Sequence, residues 1–115
     1  MIVETSKGKL PVKYGWKALR KFGELCEKDM NQVIEMITEG LSETWKGWRF
    51  TDMYNLLYVG FWYGALKSGE ECQIKDGDEV EDLLDDDPNL TNRVSKILID
   101  DFMDMFSDKT GDKKK

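Results

Sequence analysis

Two cysteines, one acidic run and a crowd of aromatic residues are where this 115-residue sequence could concentrate chemistry. Cys26 and Cys72 lie far apart, and neither belongs to a C-x-x-C pair. Histidine is absent, so no Ser-His-Asp or Cys-His nucleophile can be assembled. Two separated thiols do not suggest a zinc site. Cys26 falls on an apolar helix face and reads as a small buried hydrophobe. A cytosolic chain would keep both thiols reduced, with a lone structural disulfide as the alternative. Nucleotide binding lacks its usual loop, since neither G-x-x-x-x-G-K-[ST] nor G-x-G-x-x-G occurs. The run from Asp76 to Asp87 invites a calcium reading. An EF-hand loop starting at Asp76 would need glycine at its sixth position, where Glu81 stands. The run reads instead as a capped, exposed helix face. No catalytic, cofactor-binding or metal-binding residue is therefore assigned. An enzyme built on carboxylates and lysine has no positive support, and a non-catalytic protein is expected.

The aromatic residues are the more unusual feature. Trp45, Trp48, Phe50, Tyr54, Tyr58, Phe61, Trp62 and Tyr63 cluster within one stretch. Most of these rings should pack in a core, yet Trp and Tyr are also favoured anchors of protein interfaces. Trp48, Tyr63, Met103 and Phe106 are the candidate interface residues. The charge is −6 overall and unevenly placed. Residues 1–49 carry nine Lys/Arg against seven Asp/Glu, whereas residues 50–115 carry eight against sixteen. So acidic a chain repels phosphate backbones, and no nucleic-acid partner is expected. The Lys/Arg positions of the first helix form at most a local basic patch. No leader with a charged start and an apolar run opens the sequence, so a cytosolic protein is expected.

The elements that must position these residues follow from periodicity. Ile2–Thr5 and Lys9–Tyr14 flank Ser6-Lys7-Gly8 and predict a β-hairpin. Pro11 restricts its strand to an edge, or the hairpin to a short one. A first helix over about Gly15–Lys28 carries Trp16, Leu19, Phe22 and Cys26 on one stripe. A short second helix runs from about Asn31, a cap candidate, to Leu41, with Val33, Ile34 and Ile37 on its face. Residues 42–50 are a connector. A third helix runs from an N-cap at Thr51 to Ser68-Gly69. It has no charge between Asp52 and Lys67. That stretch is shorter than the roughly 20 apolar residues a bilayer span needs, so it predicts a central helix buried on all sides. Asp76 and Glu79 fit a capping pattern for a fourth helix over about 78–86. Asp87-Pro88 fits the start of a fifth helix running to about Phe106. Its stripe is Leu90, Val94, Ile97, Leu98, Phe102 and Met105, broadened by Ile99, Met103 and Phe106. The expected fold is mainly α: a short N-terminal β-hairpin packed on a bundle of four to five helices. It forms one domain over residues 1–106, with a flexible polar tail over 107–115.

Several stretches, taken in order, resemble the tail assembly chaperones of long-tailed (siphovirus-type) bacteriophages and prophages. Ser6-Lys7-Gly8-Lys9-Leu10-Pro11-Val12-Lys13-Tyr14-Gly15, followed by Lys17-Ala18-Leu19-Arg20 and Phe22, is similar to their opening hairpin and aromatic-Gly step into a basic helix. Leu56-Leu57-Tyr58-Val59-Gly60, then Gly64-Ala65-Leu66-Lys67, resembles their central helix. Glu79-Val80-Glu81-Asp82-Leu83-Leu84-Asp85, a break and a final amphipathic helix resemble their ending. The connector Trp45-Lys46-Gly47-Trp48-Arg49-Phe50 is richer in aromatics than that pattern. The resemblance implies an assembly factor in the host cytoplasm, not retained in the mature virion. It would coat the tape measure protein before the tail tube polymerises around it, with the tail tube protein as a second partner. Homo-oligomers are expected on separate grounds, because the broad apolar faces of the third and fifth helices exceed what one small bundle covers. An oligomeric adaptor or regulator from a bacterial or mobile genetic element is the alternative. The family's partner-binding residues are not a fixed motif, so none is carried over.

Overall fold

A computed structural model of the chain describes residues 1–106. The expected polar tail, 107–115, lies outside the described residues. The hairpin forms from β1 (Ile2–Thr5) and β2 (Gly8–Pro11), paired antiparallel with Val3 opposite Leu10 and Ile2 opposite Pro11. Thr5 closes the turn: its hydroxyl donates to the Gly8 carbonyl at 2.8 Å and accepts from Lys7 N–H at 3.0 Å. The ladder continues through Val12 N–H to the Met1 carbonyl at 2.7 Å. Bonded pairs alternate along an antiparallel ladder. The nitrogen of Pro11 therefore points away from β1, where a missing donor costs nothing. Strand β2 ends at Pro11, short of the expected Tyr14.

Five helices follow: α1 (Trp16–Cys26), α2 (Met30–Ser42), α3 (Phe50–Ser68), α4 (Gly77–Asp86) and α5 (Leu90–Phe106). The architecture is the expected one, a short hairpin on a mainly helical body. Helix α3 is central and packs against α1, α4, α5 and β2. Its buried residues Leu56, Leu57, Val59, Phe61 and Ala65 leave no single polar face. On α5 the buried positions are Leu90, Val94, Ile97, Leu98 and Phe102, the stripe expected from its period. No helix among the described residues is long and apolar enough to cross a membrane.

Three helix starts differ from expectation. Helix α2 is capped by Asp29, not Asn31: Asp29 Oδ1 accepts from Gln32 N–H, and Gln32 Oε1 accepts from Asp29 N–H, both at 2.9 Å. Gln32 stands at the spacing this reciprocal box requires, which places Asn31 inside the helix. Helix α3 begins at Phe50 behind Arg49, with no side-chain cap, so Thr51 lies in its first turn. There Asp52 supplies the negative charge that a helix start favours, and it pairs with Arg49 at 3.3 Å. Helix α5 begins at Leu90, because Asp87 first closes a turn over Pro88 by accepting from Asn89 N–H at 3.1 Å. The expected cap of α4 forms, with Asp76 Oδ1 accepting from Glu79 N–H at 3.2 Å.

Candidate protein-binding surface

The chain between β2 and α1 lies directly on α3. Lys13 N–H donates to the Gly60 carbonyl at 3.0 Å, and the Tyr14 hydroxyl donates to the Leu56 carbonyl at 2.8 Å. Glycine at 60 permits this approach: a Cβ there would stand 2.5 Å from the Tyr14 ring. At Gly64 a Cβ would overlap the Pro11 carbonyl. The same segment orients α5, since Tyr14 N–H donates to Asp101 Oδ2 at 2.9 Å. With Asp101 held there and Phe102 buried, Ile99, Met103 and Phe106 occupy an outer face of α5. They recur three and four residues apart, so they are neighbours along one row.

That row continues onto α1. The Phe106 ring meets Trp16 edge-on, with centroids 5.1 Å apart, and touches Phe102 at 4.9 Å. Trp16 is 48% exposed, Phe106 47% and Met103 64%. Beyond Trp16 the surface passes to α3. The half-buried Tyr63 ring covers Gly15, where a Cβ would stand 2.9 Å from it. Trp62, half-buried as well, lies beside Tyr63 at 6.4 Å, and the exposed Leu66 follows one turn later. The ammonium of Lys21 sits 4.7 Å above Trp62 and that of Lys67 is 6.0 Å from Tyr63.

Met103 and Phe106 thus share one row of α5 beside Trp16, Tyr63 covers the residue that precedes Trp16, and Trp48 stands apart. Trp48 is half-buried, stacked on Phe22 at 5.9 Å and met edge-on by Trp45 at 4.9 Å. Left-handed backbone at Thr44 and Trp45 folds the connector back against α1 and α2 to make this packing. Trp16 shares the helical stripe of Leu19 and Phe22, yet the structure leaves it half exposed while those two are buried. The available signal was position: it is the first residue of α1, where a helix emerges from the body and need not be covered.

The thiols and carboxylates are quieter. Both cysteines are half-buried free thiols. Cys26 Sγ lies 3.5 Å from the buried Asp52 carboxylate. Burial, reinforced by that carboxylate, pushes the thiol up to about 11, away from the thiolate a nucleophile needs. Burial likewise raises Cys72, whose thiol donates to the Ile74 carbonyl at 3.1 Å. The carboxylates of α4 are mostly exposed, and no group of three His, Cys, Asp or Glu side chains among the described residues is placed to hold a metal ion. An open cleft of about 1070 Å³ separates β1 from α5. Arg93 crosses it to donate to the Glu4 carbonyl at 2.9 Å while pairing with Asp87 at 2.6 Å. What the molecule offers is apolar contact area bordered by charge. No family model, curated protein or solved structure matches the chain.

Proposed function

We propose that this chain is a non-catalytic phage tail assembly chaperone, which binds and solubilises the tape measure protein before the tail tube polymerises. The observation that carries the reading is the exposed row of Trp16, Met103 and Phe106, in a sequence whose segments follow that family's order. A long helical client has apolar stripes that aggregate when bare, and a binder needs apolar anchors with a solubilising exterior. Aromatic rings supply contact area, and methionine adapts to varied partner faces. The acidic second half of the chain keeps a crowded complex soluble by repulsion. An amphipathic helix of the client laid against the surface, repeated in many copies, gives weak but multivalent binding. Tube subunits then displace the chaperone by competing for the same client surface. The same exposed row supports homo-oligomers, since large apolar patches are rarely left open on monomers.

The test is expression of the tape measure protein from the adjacent gene, with and without this chain. Coexpression raises its soluble fraction, the two proteins elute together, and Met103→Ser with Phe106→Ser abolishes both effects. A tape measure protein equally soluble alone, with no co-eluting complex, ends the chaperone reading. Self-association through this surface with no effect on the client assigns the chain to the alternative class, an oligomeric adaptor or regulator.

A further inference from the structure

The two edges of the hairpin have different neighbours. The outer edge of β2 is closed by α3: Pro11 has no N–H to offer, its carbonyl lies against Gly64, and Lys13 N–H donates to the Gly60 carbonyl at 3.0 Å. The outer edge of β1 is open. Val12 N–H donates to the Met1 carbonyl at 2.7 Å, and the Met1 amino group donates to the Val12 carbonyl at 3.3 Å. Bonded pairs alternate, so Val3 also turns its backbone groups to β2, while Ile2 and Glu4 turn theirs outward. The Arg93 guanidinium agrees with this direction, because it reaches the Glu4 carbonyl from α5 at 2.9 Å. Among the described residues nothing bonds the outward N–H of Ile2, its carbonyl or the N–H of Glu4. The open cleft of about 1070 Å³ runs beside this edge, between β1 and α5. Its lining includes Ile2, which is 58% exposed, and the buried Val3 and Ile97.

We propose that the outer edge of β1 takes an extended segment of another protein as a third strand, in the cleft beside α5. Unpaired edge groups are met in full by another extended backbone, which is why sheet edges recruit strands. The segment exchanges hydrogen bonds with Ile2 and Glu4. One of its N–H groups takes the Glu4 carbonyl from Arg93, whose guanidinium keeps its pairing with Asp87 at 2.6 Å. Side chains of an added strand follow the pleat of its neighbour. The residue opposite Val3 therefore points to the side of the sheet where Val3 is buried, and must be apolar, while the residues flanking it lie beside the exposed Ile2 and Glu4. Residues 107–115 of this chain hold no apolar side chain and do not meet that requirement. A second copy pairing β1 with β1 brings only a Val3 already committed to its own core, where it is 5% exposed. The occupant is a partner strand with apolar residues at alternate positions. The site is separate from the row of Trp16, Met103 and Phe106 and does not depend on the client proposed above.

The test uses the full chain and a short synthetic peptide alternating Val and Thr, with a lysine at each end for solubility. Amide hydrogen exchange followed by NMR should show Ile2 and Glu4 exchanging freely without the peptide and slowed about tenfold or more with it. The same peptide N-methylated along its central residues lacks the donors, and should neither bind nor protect. Ile2→Pro removes one outward donor and leaves the ladder to β2 intact. It should weaken peptide binding about tenfold with little change in thermal unfolding, whereas Ile2→Val should bind as the parent does. The methylated peptide decides the matter even where Ile2→Pro disturbs the hairpin. No binding, equal binding of the methylated peptide, or protection that spares Ile2 and Glu4 overturns the proposal. So does protection of these amides that grows with protein concentration in the absence of peptide, which makes a second copy the occupant. Protection present without peptide and lost when the chain is cut after Phe106 makes residues 107–115 the occupant, and overturns it equally.

Discussion

Tyr14 and Trp16 stand two residues apart and meet opposite fates. Tyr14 is fully buried, with its hydroxyl on the Leu56 carbonyl. Trp16 is half open and leans on Phe106. Aromatic character therefore does not decide burial in this chain; backbone separation does. Where Gly60 and Gly64 remove side chains from α3, the segment after β2 sinks onto the helix and its aromatic ring is enclosed. One step later the chain rises into α1, and no element passes over the ring that follows. The first region is a seam that tolerates no added volume. The second is a surface with room for a partner.

Substitution tests that contrast directly. Gly64→Val should have the largest effect, because its side chain would occupy the space of the Pro11 carbonyl. Overpacking of this kind costs about 3 kcal/mol or more where backbone must move. A urea titration should show the loss, and an unchanged midpoint would mean the hairpin is not seated on α3. Tyr14→Phe should cost about 1 kcal/mol, the net worth of one buried hydrogen bond, in the same assay. A full-strength Tyr14→Phe protein would mean that the ring, and not the hydroxyl, holds the seam.

A pH series probes the interior at a second place. The Cys26 thiol is pushed from its ordinary 9.0 up to about 11, first by burial and then by Asp52. The folded chain keeps this proton where the unfolded chain has lost it, so folded stability is complete below pH 9.0 and declines from there toward about 11. Tyr14, raised mainly by its burial, extends the decline at higher pH. Melting temperatures should fall over that range, and Cys26→Ala should flatten the first part of the fall. A flat profile in the parent protein would place the thiol in free contact with water. Smallest of all, Met103→Ser should shift stability by under about 0.5 kcal/mol, as for an ordinary surface site. A larger loss would show that Met103 supports the fold and is not free for a partner.

Regular elements were legible because their signals are local and repeated. The α5 stripe from Leu90 to Phe102 follows the helical period. The hairpin shows as β-branched residues around a glycine turn, and the Asp76 cap shows as a side chain three residues before Glu79. Helix starts were less legible where several capping residues compete. Asp29 and Asn31 are both suitable types, and the choice fell to the residue whose partner, Gln32, could return a bond.

The sequence by itself determined a mainly helical chain with a central apolar helix, no histidine-based chemistry and an acidic second half. Each of these follows from residue type and period. Tertiary structure alone decided which aromatics face outward. It stacked Trp48 on Phe22 through a connector with left-handed residues. It set the rotation of α5 through Asp101 and Tyr14, and so brought Phe106 of α5 against Trp16 of α1. These contacts join residues tens of positions apart, and their outcome depends on how closely two backbones approach, which no local pattern records.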